Sequence, residues 1–341
     1  MPKLNPKFFL DDDFEEYADP HLHRHEQNPL PRWPVRPSDE ITTQDDSHES
    51  FDFTYQASRH EQWWLTESLG GVYEQQWISD ILRLVRGGKE ANVYQCEGTA
   101  STGVDFVAAK VYRPRSLRNL RNDSLYREGR DNLDSDGRVI GDDDRQRAIR
   151  KHTSYGMELL HTSWLMREFT TLQQLHAAGA DVPKPYISAG NAILMGFIGD
   201  DQVAAPTLNN VDLDGDEAHM LFQQVLRNVE IMLRSGQIHG DLSAYNILYW
   251  DEKITLIDFP QAITPLDNRN AYWIFERDLA RVCEYFDHQG VRQHGARLNP
   301  RRLATDLWTS YGYRLAPDIH PRLLDGEDDR DRQYWARMTN K

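Results

Sequence analysis

His239-Gly240-Asp241-Leu242-Ser243-Ala244-Tyr245-Asn246-Ile247-Leu248, followed by Leu256-Ile257-Asp258-Phe259-Pro260-Gln261, is the densest run of chemistry in the chain. Asp241 and Asn246 have D-x-x-x-x-N spacing. Ile247–Trp250 and Ile254–Ile257 each read as a short strand, with Asp251-Glu252-Lys253 as the turn between them. A hairpin centred on Glu252 pairs position 250 with 254 and, by continuation, 246 with 258. Directly opposed residues have Cβ atoms about 4.5–5.5 Å apart. The Asn246 amide oxygen and the Asp258 carboxylate are therefore expected to converge at one end of the hairpin. Two oxygen donors of this kind suit a hard cation such as Mg²⁺, completed by phosphates and water. Asp241 then stands where it can orient or deprotonate a hydroxyl. Either half alone reads more plainly as turn residues bonding their own backbone; both halves joined by a hairpin argue against that.

Three features upstream complete the pattern. Gly87-Gly88-Lys89-Glu90-Ala91-Asn92-Val93-Tyr94 lies between strands expected at Ile81–Val85 and Ala91–Cys96. Glycines let backbone N–H groups approach phosphate oxygens closely, although alone this is a hairpin turn. A third strand, Val104–Tyr112, puts Lys110 on the face of Phe106 and Ala108. A lysine in so apolar a strand either snorkels from its end or needs an anionic partner. Leu165, Phe169, Leu172 and Leu175 mark one face of a helix that stops at Gly179. Glu168 lies on that buried stripe, where a carboxylate is costly unless paired, and Lys110 is the candidate partner. Glycine turn, strand lysine, helix glutamate, D-x-x-x-x-N loop and I-D-F follow in the order a two-lobed kinase needs. The glycine turn covers the phosphates, Lys110 holds the α/β-phosphates and Glu168 orients Lys110. Asn246 and Asp258 hold the metal, and Asp241 addresses the acceptor.

GKEANVY (88–94), AKVY (109–112), WLMREFTTL (164–172), LMGFIG (194–199), HGDLSAYNIL (239–248) and IDFPQ (257–261) together resemble the RIO-type atypical protein kinases over roughly residues 75–290. The first RIO subfamily is the better match, since no winged-helix domain is visible at the N-terminus. The resemblance implies an α+β, bilobal protein-kinase-like fold: a small antiparallel-sheet lobe with one key helix, and a mainly helical lobe. It implies an ATP- and Mg²⁺-dependent serine/threonine kinase, with Mn²⁺ as an alternative metal, acting by autophosphorylation or as an ATPase switch. It places the nucleotide at Gly87, Gly88, Lys89, Glu90, Val93 and Lys110, and the adenine hinge at Met195, Phe197 and Ile198. The acceptor is a protein of unknown identity. Eukaryotic and archaeal relatives take part in small ribosomal subunit maturation, so a pre-ribosomal or other ribonucleoprotein partner is one implied possibility. Two departures stand out. Arg86 and Gly87 occupy positions where the family typically has Ser-Thr, leaving Arg86 to replace a hydroxyl contact to phosphate. The D-F-P-Q loop looks more like the second subfamily. Asp278 either buttresses the catalytic loop, as a family helix residue does, or is a surface acid. A small-molecule phosphotransferase of aminoglycoside- or choline-kinase type also carries an H-G-D-x-x-x-x-N loop and an I-D-F-like site. An ATP-sensing assembly factor with little turnover is the non-enzymatic alternative.

The rest of the chain bounds these readings. Of 341 residues, 39 are Lys or Arg and 54 Asp or Glu, a formal charge of −15. That balance argues against a basic coat for bulk nucleic acid. Cys96 and Cys283 are too few for a disulfide framework or a four-thiolate zinc site and suit a reducing cytoplasm. No apolar run approaches the roughly 18 residues of a membrane span. Residues 1–60 hold 7 of the 16 prolines and 13 acids against 6 bases, which predicts an acidic, largely disordered arm. Its His21, His23 and His25 read as a solvated polar stretch rather than a metal site. Order is expected from near Trp63, with Trp63 and Trp64 packed on the small lobe. Val72, Trp77, Ile81 and Leu84 recur at near-helical spacing and predict a helix around 73–82. Residues 61–196 form the expected first lobe, interrupted at 113–150 by a charged flexible insertion with 10 arginines and 8 acids. Its Arg113–Arg121 run reads as a solvated loop more readily than as a grip on RNA. Residues 197–320 form the second lobe, with helices near 216–234, 270–287 and 300–311, and 321–341 is an acidic tail.

Overall fold

The computed structural model describes residues 51–88, 90–113 and 131–315. The His21–His25 stretch, Lys89, the arginines beyond Arg113 up to Arg121, and the acidic tail lie outside the described residues.

Strand β3 (Phe106–Tyr112) decides the first lobe. Val107, Ala109 and Val111 are fully buried on one face, while Ala108, Lys110 and Tyr112 are buried on the other. A strand covered on both faces loses polar alternation, which is why FVAAKVY reads as a continuous apolar run. It lies at the centre of a five-stranded antiparallel sheet with β1 (Ile78–Arg86), β2 (Ala91–Gly98), β4 (Pro185–Ala189) and β5 (Ala192–Gly196), in the order β1-β2-β3-β5-β4. Helix α1 (Arg59–Glu74) covers the first face, with Leu65, Leu69 and Val72 packed on Ile81, Val107 and Val111.

The expected helix at 73–82 is corrected: α1 ends at Glu74 and β1 begins at Ile78. The cause is irregular pairing. The β1–β2 register shifts between Ile78 and Asp80 and again between Ile81 and Arg83. Each shift breaks the period of two, so the buried Ile78 and Ile81 fall three positions apart and mimic a helical face. Order also begins before Trp63. Phe51 is buried and stacks on Tyr73, with ring centroids 4.4 Å apart. Tyr55 N–H donates to Ile81 O at 2.9 Å, and Ser58 caps α1 through the Glu61 N–H. Of the tryptophan pair, Trp64 lies against Tyr94, whereas Trp63 is exposed.

These contacts revise what the N-terminal arm does for stability. A chain starting at Phe51 is expected to keep the parent's denaturation midpoint. One starting at Glu61 loses the Phe51 burial, about 1.5–3 kcal/mol, and the Ser58 cap, about 1 kcal/mol. Matched urea midpoints for the two truncations would show the arm to be irrelevant to the core.

The second half of the charged insertion is also structured. Helix α2 (Asp143–Arg150) starts on the Asp142 carboxylate, which accepts from the Asp144 and Arg145 N–H groups. Acids fill its first turn and arginines its last, as the helix dipole favours. Its Ile149 is buried. Composition hid this helix because its charges are ordered by position, not by number. Helix α3 (Ser154–Ala177) then crosses behind β3 and ends at Gly179, φ +81°, where the Ala180 N–H bonds Leu175 O.

The second lobe is built on α4 (Gly215–Arg234), the hairpin β6 (Ile247–Trp250) with β7 (Lys253–Leu256), α5 (Ala271–His288) and α6 (Pro300–Ser310). Its core includes Leu221, Val225 and Val229 of α4 together with Ile274, Leu279 and Phe286 of α5. Among the described residues no helix is long and apolar enough to cross a membrane.

Candidate active site

The hairpin that carries the site differs by one residue from the sequence-based register. Trp250 pairs with Lys253 and Ile247 with Leu256. Asp251 and Glu252 both have positive φ, 51° and 58°, which makes a two-residue turn instead of a three-residue one. Continuation brings Ile257, not Asp258, opposite Asn246, and the Ile257 N–H donates to Asn246 O at 3.0 Å. Asp258 reaches the site by another route. It adopts a left-handed conformation, φ 72°, that turns the chain out of the strand direction.

That turn brings Asp258 to Lys110. The Lys110 ammonium donates to Asp258 Oδ1 and to Glu168 Oε1, each at 2.6 Å. Glu168 is buried on α3 and also accepts from the Tyr112 hydroxyl. Tyr112 stands on the same face of β3 as Lys110, and the ammonium lies 5.3 Å from its ring centroid. Burial works against the Lys110 charge, yet Asp258 and Glu168 together hold the ammonium well above the ordinary lysine range. Partial burial also opposes ionisation of the half-exposed Asp258, and the Lys110 charge and hydrogen bond outweigh it, holding the carboxyl below its usual value. The first lobe's sheet, its long helix and the second lobe's hairpin therefore meet at one nitrogen.

The loop before the hairpin is fixed from behind. Gly240 has φ +84°, and a Cβ there would lie 2.2 Å from Gln261 O, so only glycine fits. His239 is buried. Its Nε2 donates to Ile257 O at 3.1 Å, and its Nδ1 accepts the Asp241 N–H at 3.3 Å. Asp278 of α5 is buried and accepts the Gly240 N–H at 2.9 Å and an Arg277 N–H at 3.0 Å. Arg277 also donates to Gly240 O. Asn246 donates through Nδ2 to Asp241 O at 2.8 Å and to Asp241 Oδ2 at 3.3 Å, which leaves its Oδ1 as the atom a cation can use. The other Asp241 oxygen, Oδ1, accepts from Arg281 at 2.6 Å.

Asp278→Ala is expected to orphan the buried Gly240 N–H at a cost of about 1–3 kcal/mol. Turnover should fall more than nucleotide affinity, because the loop it supports carries Asp241. An unchanged melting curve would remove Asp278 from this role.

The glycine turn is tight. A Cβ on Gly88 would lie 2.7 Å from Ala91 O, and the Gly88 N–H faces Asn92 Oδ1 at 3.4 Å. Gly87 precedes it, Glu90 O accepts the Arg113 N–H at 2.8 Å, and Val93 pairs with Lys110 across β2–β3. Met195 pairs with Ala108 on β5, and Phe197 meets Phe106 edge-on, with centroids 6.4 Å apart. Ile198 O already accepts the Ala205 N–H at 2.9 Å. Arg86 ends β1 close enough to Asp258 to help lower its pKa.

Sequence reasoning missed Tyr112, Arg277 and Arg281. Tyr112 was within reach, since it stands two residues after Lys110 on the same strand face. Arg277 and Arg281 carry no such signal, because nothing in Phe275-Glu-Arg-Asp-Leu-Ala-Arg says which face of α5 meets the loop.

A sheet lobe and a helical lobe joined at a lysine, two carboxylates and a D-x-x-x-x-N loop define a two-lobed, protein-kinase-like protein. A model of the RIO domain matches residues 92–298. The chain belongs to the RIO domain family. It is 32% identical over 211 residues to the RIO-type serine/threonine-protein kinase Rio1 of Haloferax volcanii, a match covering 61% of this chain and 63% of that protein. It is 27% identical to the serine/threonine-protein kinase RIO1 of Caenorhabditis elegans, over 71% of this chain and 44% of that protein. It is 28% identical to the RIO-type serine/threonine-protein kinase Rio1 of Thermoplasma acidophilum, over 56% of this chain and 90% of that protein. The chain thus spans less than two thirds of the first two relatives.

Proposed function

We propose that this chain is an ATP-dependent serine/threonine protein kinase that transfers the γ-phosphoryl group to a protein hydroxyl. The observation that carries the reading is the Lys110 ammonium, 2.6 Å from both Glu168 and Asp258. In kinase chemistry such a lysine aligns phosphates, the helix glutamate holds it, and the hairpin aspartate binds metal. The residues fit a divalent cation. Asp258 and the Asn246 amide oxygen are hard oxygen donors, and the Asp258 side chain is 43% exposed, open to phosphate and water. When bound, the metal would neutralise charge on the transferring phosphoryl group; its preference is Mg²⁺, with Mn²⁺ second. The glycine turn at 87–90 and Val93 cover the nucleotide phosphates, and Met195, Phe197 and Ile198 border the adenine. Asp241 orients the acceptor hydroxyl and takes its proton.

The test is γ-labelled ATP with the purified chain, alone and with protein acceptors. Label on protein is the expected result. Label released only as free phosphate makes the chain an ATPase switch, and label on an added aminoglycoside or choline makes it a small-molecule kinase.

A further inference from the structure

Arg281 is not part of the nucleotide site, yet its Nη1 lies 2.6 Å from Asp241 Oδ1. Among the described residues Asp241 is its one hydrogen-bond partner. A guanidinium carries five N–H donors in a planar fork, so the described residues leave most of that fork unused, and the side chain is 42% exposed. Arg281 is also the last member of a row along α5. Trp273, Arg277 and Arg281 stand four residues apart on one helix face. The Arg277 guanidinium lies 5.5 Å from the Trp273 ring centroid, and Arg277 donates to Gly240 O beside Asp241. The indole is 44% exposed. The row leads from an exposed aromatic to the carboxylate that faces the acceptor. Its exposed cationic donor is the Arg281 guanidinium, in a protein whose net charge is −15.

We infer that Arg281 is a specificity-determining residue that reads an anionic group beside the acceptor hydroxyl while holding Asp241 in position. The inference rests on the kinase reading above. The chemical class of acceptor is a serine or threonine flanked by Asp or Glu. Carboxylate and guanidinium match as two parallel N–H···O bonds, stronger than neutral ones. The same group, by keeping one N–H on Asp241 Oδ1, fixes that carboxylate's rotamer for the incoming hydroxyl. Lysine cannot do both, since a point charge lacks the fork.

The test uses the full chain, γ-labelled ATP and two serine peptides of equal length, one flanked by aspartates and one by lysines. The parent is expected to favour the acidic peptide by about tenfold in kcat/KM, the size of one charged hydrogen bond. Arg281→Glu should invert the preference, and Arg281→Gln should erase it through KM for the peptide, with KM for ATP unmoved. Arg281→Lys should recover only part of the ratio. Because Arg281 is half-exposed, the variants are expected to fold, and Arg281→Gln serves if the charge reversal does not. A parent that labels both peptides equally, or a ratio unchanged in Arg281→Gln, overturns the inference and leaves the kinase reading standing. A parent that labels neither peptide nor any protein overturns both.

Discussion

Asp241→Asn is expected to bind Mg-ATP nearly as tightly as the parent and to transfer phosphate about 10²–10⁴-fold more slowly, the usual worth of a positioned general base. The partners of Asp241 explain the split. Its carboxylate touches Arg281 and Asn246, both in the second lobe, and makes no recorded bond to Lys110. The substitution keeps the side-chain shape, and Asn246 retains its 2.8 Å bond to the backbone oxygen at 241. The Lys110–Glu168–Asp258 cluster is left whole. Asp258→Asn does the opposite. It removes the charged oxygen donor that a hard cation requires, and should lose the Mg²⁺-dependent part of nucleotide affinity together with activity. Nucleotide titration with and without Mg²⁺, beside single-turnover transfer, separates the two. If Asp258→Asn keeps the Mg²⁺ dependence and Asp241→Asn loses it, the two assignments are reversed.

The hairpin register that sequence suggests for this division of roles is wrong by one residue. The contact of Asp258 with Lys110 does not depend on that register. What sequence could show was the chemistry: a D-x-x-x-x-N loop, an I-D-F, a lysine in an apolar strand and a glutamate on a buried helical stripe. Each is a local statement about a residue and its immediate neighbours. The left-handed Asp258 was not legible, because a positive φ at a non-glycine residue is imposed by what surrounds it. The bulged β1 was misread because its shifts give a spacing of three at Ile78 and Ile81. Of the α5 residues at the loop, Asp278 was legible as one of two readings, loop buttress or surface acid, and it is the buttress; Arg281 was not legible, because its place depends on how α5 docks, a tertiary fact. The buried Asp278 shows the consequence. Burial raises its carboxyl above the ordinary value, with the charge and hydrogen bond of Arg277 pulling the other way.

The second large effect concerns the pair the sequence did suggest. Lys110→Met takes the cation from between two carboxylates, and Glu168, whose side chain is 5% exposed, is left charged and buried. Breaking a buried pair in this way costs about 3–5 kcal/mol. The Asp258 bond adds less, because that carboxylate is 43% exposed and water screens it. Glu168→Gln costs less than Lys110→Met, since Asp258 still meets the ammonium and the new amide oxygen can still accept from Tyr112. Once the lysine is gone, the glutamate no longer needs a counter-charge if it too is made neutral. The double variant should therefore be more stable than the sum of the two losses allows, and transfer should fall no further than in Lys110→Met alone. The pH profile adds an independent sign. Asp258 has a folded pKa below its ordinary 3.8, so its stabilisation is present above that value and lost as pH falls through the lower folded one. Lys110 has a folded pKa well above 10.5, so its contribution is complete below 10.5 and lost as pH rises through the folded value. Between the two limits the pair is pH-independent. Lys110→Met should flatten the acid limb, because without the ammonium nothing comparable holds the Asp258 carboxyl down. Urea midpoints of the four proteins, taken from below the folded pKa of Asp258 up through neutral pH, supply the check. Additive losses, or an acid limb of unchanged slope in Lys110→Met, would show that the three groups meet in space without being coupled in energy.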